Sequence, residues 1–211
     1  SCTEDDITNP TITITGSAAV TIDLGDTYTD AGATANDDKD GDLTSQITFT
    51  SNVDVNKVGI YEVVYTVSDE AGNTTTETRT VTVQANRLAG SYNVHSVVTG
   101  AGAGTYDYVE VVTGSSVNYN YIYFGNFSDF PNLQVQGAVS GAGLTFNQIK
   151  NYDWDNNAAT ANTDATISGS TLSAFTVTAG ATPVAAITNL TYTIDYGAAS
   201  IDNVTATYTK Q

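Results

Sequence analysis

The chain is poor in cysteine, histidine and basic residues. Its 211 residues include one cysteine, Cys2, and one histidine, His95. A single cysteine excludes an intrachain disulfide, and with only one histidine it also excludes a Cys/His zinc site. Six basic residues against 23 acidic ones give a formal net charge of −17. Because nucleic-acid phosphates are bound mainly through Lys and Arg, we expect no nucleic-acid partner.

Helical and membrane-spanning signals are also scarce. Methionine is absent, and no apolar run approaches the roughly 18 residues that a membrane helix needs. Instead Thr, Val, Ile and Tyr dominate, and Gly, Asn and Asp recur at short intervals. This composition is typical of strands and turns, so the sequence predicts an all-β protein with almost no helix.

The first part of the chain alternates apolar and polar residues with a period of two. The stretches "TITIT" (residues 11–15) and "AVTIDL" (residues 19–24) show this pattern, which is that of half-buried strands. "GIYEVVYTVSDEAGNTTTETRTVTV" (residues 59–83) predicts two long strands joined by a Glu-Ala-Gly-Asn turn. Together these stretches predict a β-sandwich of about seven strands.

Three landmarks make the fold of this part more specific. They are "GDTYTDAGATANDDKDGDLT" (residues 25–44), "VGIYEVVYTVSD" (residues 58–69) and "EAGNTTT" (residues 70–76). The stretch containing them resembles the bacterial immunoglobulin-like (Ig-like) domain of the DUF5011 and hyalin-repeat kind. The resemblance implies an Ig-like β-sandwich over residues 10–86 that acts as a spacer.

The start of the chain, "SCTEDDITNP", resembles a bacterial lipoprotein just after its signal peptide. Cys2 would carry the lipid, and Glu4, Asp5 and Asp6 are similar to the acidic export signal of Bacteroidetes surface lipoproteins. The resemblance implies an acidic tether over residues 1–9 that is anchored in the outer membrane and exposed at the cell surface. The other interpretation is an ordinary flexible acidic end.

Residues 87–211 are less acidic and far more aromatic than the first part. They hold 10 of the 13 tyrosines, 5 of the 6 phenylalanines and the only tryptophan. Short strand patterns bounded by Gly, Asn, Asp or Ser predict a second antiparallel β-sandwich or a small meander β-barrel. "LAGSYNVHSVV" and "GLTFNQI" are similar to C-terminal domains of Bacteroidetes surface lipoproteins encoded beside SusC/SusD-like glycan-uptake systems.

Two aromatic loops in this part are candidates for ligand contact. In "IKNYDWDNNAATANTD" (residues 149–164) aromatic rings lie among carboxylates and amides, a mixture that suits sugars. The candidate glycan-binding residues are Tyr152, Asp153, Trp154, Asp155 and Asn156. The alternative is that Trp154 caps the β core. For Phe127 and Phe130 in "FGNFSDFPN" (residues 124–132), and for the alternating tyrosines 119, 121 and 123, burial in the interior is favoured.

The stretch "NDDKDGDL" (residues 36–43) resembles a metal-binding loop, because several short oxygen-bearing side chains surround a glycine. Asp38, Asp40 and Asp42 would be the ligands of a Ca²⁺ ion. Short Asp side chains also cap the N–H groups of their own turn, and Lys39 lies within the run. We favour a turn without metal and expect no cofactor.

The function predicted from the sequence is that of a non-catalytic, surface-exposed outer-membrane lipoprotein. It would serve a nutrient-uptake system that takes up glycans, with the Ig-like domain as spacer and the C-terminal domain as binding module. We expect no catalytic residue, because the single histidine lies in a predicted strand. The alternative is a structural or assembly subunit that packs against an outer-membrane transporter, such as a SusC/SusD-like complex, or another lipoprotein.

Overall fold

The computed structural model describes residues 5–130, 133–151, 164–179, 181–197 and 200–211. In this part of the chain the regular structure is β-strand, apart from three short 3₁₀ turns at Thr44–Gln46, Ala85–Leu88 and Phe127–Asp129. The predicted all-β class is confirmed. None of the described helical segments has the length and apolar character to cross a membrane.

The described residues divide into two compact units. The first comprises the chain up to Ile22, then Tyr28–Asp54 and Ile60–Val83. The second comprises Asp23–Thr27, Val55–Gly59 and Gln84–Gln211. Two short segments from the first half of the sequence therefore belong to the second unit.

The first unit is built on two sheets. Its strands are β1 (Thr11–Ile14), β2 (Ala19–Asp23), β3 (Ala33–Asp37), β4 (Gly41–Asp42), β5 (Thr48–Ser51), β6 (Gly59–Ser68) and β7 (Thr74–Gln84). One sheet has the order β1-β3-β4 and the other the order β2-β7-β6-β5. This is the predicted seven-stranded sandwich, and the long hairpin of β6 and β7 occurs where the sequence places it.

The core of this sandwich follows the period-two pattern. Val63, Tyr65 and Val67 on β6 are buried, and their neighbours along the strand are not. They pack with Ile12 and Val81 in one apolar cluster. Alternation along each strand therefore decides which side chains face the other sheet.

The basic residue Arg79 is buried inside the first unit. Its guanidinium forms an ion pair with Asp30 and donates to the Tyr65 hydroxyl (2.8 Å) and the Thr15 carbonyl (2.5 Å). Burial opposes ionisation of Asp30, but the hydrogen bonds from Tyr65 and Tyr28 outweigh it and lower the pKa of this carboxyl. The buried charge is thus paired and hydrogen-bonded, as burial requires.

The second unit contains a closed antiparallel barrel of eight strands. In chain order its strands are β8 (Gly90–Gly100), β9 (Gly104–Gly114), β10 (Tyr121–Phe124), β11 (Val135–Ser140), β12 (Gly143–Asn151), β13 (Asp164–Thr171), β16 (Asn189–Asp195) and β17 (Ile201–Lys210). Between β13 and β16 lies a separate hairpin of β14 (Phe175–Thr178) and β15 (Val184–Ile187). Each barrel strand pairs with its neighbour in the chain, and β17 returns to pair with β8. Of the two predicted architectures, the meander barrel is the one observed.

Aromatic rings fill much of the barrel. The centroid of Phe127 lies 4.6 Å from that of Tyr192 and 5.0 Å from that of Phe146. Phe124 packs edge-on against Phe146 at 5.4 Å and against Tyr208 at 6.2 Å. These tilted contacts are the arrangement that aromatic pairs prefer, so the described rings pack the barrel interior.

Candidate functional site

A pocket of about 280 Å³ opens at one end of the barrel. We call it the mouth pocket. Its walls come from three connections that meet at this end: the β8–β9 hairpin, the turn after β10 and the segment joining β16 to β17. The lining residues are Val98, Ala101, Gly102, Tyr106, Ser128, Asp129, Phe130, Ile194, Tyr196, Ser200, Asp202 and Val204.

Asp202 is the most deeply placed charged group of the mouth pocket. It lies on the inward face of β17, is only 6% exposed, and accepts a hydrogen bond from the Gly102 N–H at 2.7 Å. A Cβ at residue 102 would lie 2.8 Å from the other carboxylate oxygen, so glycine permits this close approach. Burial raises the pKa of Tyr196, and the charge and hydrogen bond of Asp202 act in the same direction. The carboxylate of Asp202 is therefore held in place at the edge of the pocket.

The turn after β10 brings a second carboxylate to the pocket. Ser128 and Asp129 have positive φ angles of 57° and 63°, in the left-handed region that non-glycine residues seldom adopt. Such strain is maintained by the surrounding structure and clusters at functional sites. The turn presents the exposed Asp129 and the half-buried ring of Phe130 to the pocket.

The remaining lining combines apolar walls with hydroxyl groups. Val98, Ile194 and Val204 supply aliphatic surface, and the Tyr106 hydroxyl donates to the Gly102 carbonyl at 2.9 Å. None of the described lining residues is a lysine or an arginine. The pocket therefore offers ring faces, hydroxyls and negative charge, which suits a ligand that donates hydrogen bonds.

The barrel interior holds further buried polar groups. Glu110 is 0% exposed; one carboxylate oxygen accepts the N–H groups of Asn126 (2.8 Å) and Val111 (3.1 Å). The other oxygen is buried without a hydrogen-bond partner among the described residues. Burial raises the pKa of Glu110 to about 7, although backbone hydrogen bonds act in the opposite direction. The hydroxyls of Tyr108, Tyr192 and Tyr208 are also buried, and none has a hydrogen-bond partner in the part of the chain that the structure describes.

Several candidates from the sequence lie outside the described residues. They are Cys2 and the proposed glycan-contact residues Tyr152, Asp153, Trp154, Asp155 and Asn156. Lipidation and glycan contact at these positions stay predictions.

The acidic turn is described, and it lies between β3 and β4. Asp40 accepts the Glu70 N–H at 2.7 Å, and Asp42 accepts the Thr44 N–H at 2.9 Å. Asp42 thus caps an N–H group close to it in sequence, whereas the group that Asp40 caps is 30 positions away. The preference for a turn without metal stays a prediction. Among the described residues, the group of carboxylates close enough to share an ion includes Asp38 but neither Asp40 nor Asp42.

The two candidate phenylalanines in the aromatic loop of residues 124–132 differ in burial. Phe127 is fully buried, as predicted, but Phe130 is half-buried and lines the mouth pocket. The expectation that Tyr121 and Tyr123 pack inside is wrong. The buried Ile122 alternates with them and takes the inward positions of β10, so the two tyrosines face outward.

His95 is an exposed strand residue on the outer face of the barrel. Its Nδ1 lies 2.7 Å from an Asp107 carboxylate oxygen. Sequence reasoning missed Asp202, the best-placed carboxylate of the mouth pocket, although a signal existed. In "IDNVTATY" (residues 201–208), Asp202 occupies a position whose period-two partners Val204 and Tyr208 point inward.

The chain thus contains an Ig-like β-sandwich unit and a closed β-barrel with a small pocket at one end. Residues 12–83 match the family described as "Bacterial surface protein, Ig-like domain". This match confirms the predicted Ig-like fold of the first unit and supports a place at a bacterial cell surface. No curated protein matches the chain.

Solved structures give weaker similarities. The lipoprotein BT2262 from Bacteroides thetaiotaomicron is 18% identical with a TM-score of 0.35, over 94% of this chain and 99% of that one. A structure of the CBM51-2 and INT domains of Clostridium perfringens ZmpB, in complex with GlcNAc, is 21% identical with a TM-score of 0.31. That match covers 76% of this chain and 29% of the ZmpB chain. These TM-scores are low, so neither similarity carries an argument about ligands or partners.

Proposed function

We propose that the protein is a cell-surface accessory protein whose barrel binds a small hydroxyl-rich ligand, such as the end of a glycan, in the mouth pocket. The observation that carries this proposal is the combination of an immobilised carboxylate, Asp202, with ring surface from Tyr106, Phe130 and Tyr196. A sugar presents hydroxyl groups around an apolar C–H face, and these two kinds of surface are complementary to it.

The size of the mouth pocket limits the ligand. At about 280 Å³ it lies just below the roughly 300–1,000 Å³ of pockets that enclose drug-sized molecules. It therefore takes one terminal unit of a longer chain, with the rest of the chain outside. A terminal unit that carries an anionic group is disfavoured, because Asp129 and Asp202 both lie on the lining.

The experiment is a glycan-array screen of the full chain followed by calorimetry with the best ligand. Asp202→Asn keeps an oxygen that can accept the Gly102 N–H, but it removes the charge. Hydrogen bonds to charged groups contribute about 1.5–3 kcal/mol, so we expect binding to weaken about tenfold or more. Asp107→Asn is the matched control, because Asp107 is an exposed carboxylate outside the mouth pocket. Equal affinity of the two variants would refute the mouth pocket as the site.

A third variant tests the other candidate site. Trp154→Ala removes the aromatic ring that the sequence places in the loop of residues 149–164. If this change weakens binding by about 1 kcal/mol or more and Asp202→Asn does not, the ligand binds at that loop. If it lowers only the melting temperature, Trp154 caps the core.

The remaining parts of the proposal concern location and partners. Lipidation of Cys2 would hold the protein in the outer membrane, and the Ig-like unit would act as a spacer. An uptake system of the SusC/SusD-like kind would receive the ligand. The support for this part is the Ig-like match to bacterial surface proteins and the sequence "SCTEDD" at residues 1–6.

A second candidate function, assembly with another protein, is favoured by exposed apolar side chains on the barrel. Val109 and Val111 lie two positions apart on the outer face of β9 and are both exposed. Interface cores are depleted of charge and enriched in apolar surface. Chemical cross-linking in the native outer membrane, with Val109→Lys as the test variant, distinguishes this function. If the protein acts by assembly, Val109→Lys abolishes the cross-link and leaves glycan binding unaffected.

A further inference from the structure

Carboxylates from two distant parts of the first unit converge beside the acidic turn. One carboxylate oxygen of Asp6, one of Asp37 and one of Asp38 lie within 4.8 Å of one another. Asp6 precedes β1, whereas Asp37 ends β3 and Asp38 follows it. We propose that these three residues form a Ca²⁺ site that fastens the segment before β1 to the sandwich.

The state of Asp37 supports this proposal independently of the clustering. Asp37 is 3% exposed, and one of its oxygens accepts the N–H groups of Lys39 (2.8 Å) and Asp40 (3.2 Å). Its other oxygen is buried and has no hydrogen-bond partner among the described residues. A buried carboxylate with an unsatisfied oxygen is costly unless a cation or a donor completes it. Calcium would supply that missing partner.

The cluster has an excess of negative charge that a divalent cation can neutralise. Among the described residues, Lys39 forms an ion pair with this cluster: its Nζ lies 3.6 Å from an Asp6 carboxylate oxygen, and its side chain is 46% exposed. One solvated ammonium against three carboxylates leaves a net charge of about −2 at the cluster. Like charges held this close repel one another, and a bound Ca²⁺ relieves the repulsion.

The ligand chemistry selects calcium among common metal ions. All three side chains offer hard carboxylate oxygens, and none offers the nitrogen or sulfur that zinc prefers. Calcium accepts six to eight oxygens in irregular geometry, with water at the open positions. Magnesium requires a near-ideal octahedron and is reluctant to lose its water, so direct coordination by three carboxylates disfavours it.

Neighbouring hydrogen bonds hold the site together on both sides. The Asn73 side chain donates to the Asp6 carbonyl at 3.2 Å and to the Asp69 carboxylate at 2.7 Å. The Asp40 carboxylate accepts a hydrogen bond from the N–H of Glu70, which lies in the β6–β7 turn together with Asn73. These hydrogen bonds join the segment before β1 to the β6–β7 turn, and the β6–β7 turn to the β3–β4 turn. A bound ion would restrict the motion of this segment further. Calcium is abundant outside the cell, where the proposed function places the protein.

The test is a calorimetric titration of the metal-free full chain with CaCl₂, repeated with MgCl₂. We expect a dissociation constant of about 10⁻⁴–10⁻³ M, as in extracellular calcium modules, and weaker binding of magnesium. Asp6→Asn and Asp38→Asn should each weaken Ca²⁺ binding about tenfold or more. Asp42→Asn, in the same turn but outside the cluster, should change it less than about twofold.

Melting curves provide a second readout that does not depend on the heat of binding. Calcium in excess over its dissociation constant should raise the melting temperature of the wild type and leave that of Asp6→Asn unchanged. Absence of Ca²⁺ binding by the wild type overturns the proposal. So does a loss on Asp42→Asn as large as that on Asp6→Asn, because the ion would then belong to a different set of ligands.

Discussion

Burial of Glu110 makes a quantitative prediction for the stability of the barrel. Its carboxyl has a pKa of about 7 in the folded protein, against an ordinary value of 4.5, because burial disfavours the charged form. At about 1.4 kcal/mol per pKa unit, this difference corresponds to about 3 kcal/mol. The folded state holds this proton more tightly than the unfolded state does. Stability is therefore fully present below about pH 4.5 and falls as the pH rises through 7.

Replacing Glu110 with Gln removes the titration and keeps the shape of the side chain. We expect the wild type to lose about 3 kcal/mol between pH 4.5 and pH 8 relative to Glu110→Gln. The measurement is urea unfolding of both proteins across this range, followed by tyrosine and tryptophan fluorescence. This signal reports mainly on the barrel, because residues 87–211 hold the only tryptophan and 10 of the 13 tyrosines.

The difference between the two proteins isolates Glu110, since every other group titrates in both. Asp107→Asn, which changes an exposed carboxyl, serves as the control and should follow the wild-type curve. Parallel pH–stability curves for the wild type and Glu110→Gln would refute the reasoning. They would mean that the unpartnered oxygen of Glu110 is solvated and that its carboxylate is charged at ordinary pH.

Three further predictions concern stability and location. Arg79→Met leaves the Asp30 carboxylate without its cation and should cost about 3–5 kcal/mol in urea unfolding, and a loss below 1 kcal/mol would contradict the buried pairing. Gly169→Ala would place a Cβ 2.6 Å from the Thr191 carbonyl oxygen, so β13 and β16 must separate and the melting temperature should fall; an unchanged melting temperature would show that the strands can shift freely. Cys2→Ala in the full precursor should release the protein from membranes, and if the variant still fractionates with the outer membrane in high salt, the anchor is not at this residue.

The first unit could be predicted from sequence because its local signals agree with one another. Alternation along residues 61–67, the Gly-Asn turn and the strand spacing all point to the same sandwich. Arg79 shares its face of β7 with the buried Val81 and Val83, so alternation indicates an inward position, but nothing local shows which group pairs with its charge. Its burial depends on Asp30, which is 49 positions away in the sequence and meets it only in the folded chain.

The barrel was predicted less completely, because closure is not a local property. Each strand reads as half-buried whether the sheet ends at an edge or returns to β8, so the sequence left sandwich and barrel open. The outward direction of Tyr121 had a similar cause. Ile122 and Phe124 face the interior because they pair with Gly114 and Val112 on β9. This register is set by the folded barrel.

The places where the alternating pattern breaks are the most informative about function. Glu110 and Asp202 both occupy inward positions of barrel strands, where apolar side chains would pack at lower cost. In the first unit, the buried charge of Arg79 is matched by a carboxylate and by backbone carbonyls. Among the described residues, Glu110 in the barrel and Asp37 in the first unit each keep one buried oxygen without a hydrogen-bond partner, and Asp202 lines the mouth pocket. Of the two inward carboxylates of the barrel, Asp202 lines the mouth pocket and Glu110 does not, so Asp202 is the one at which the proposed ligand binding is tested.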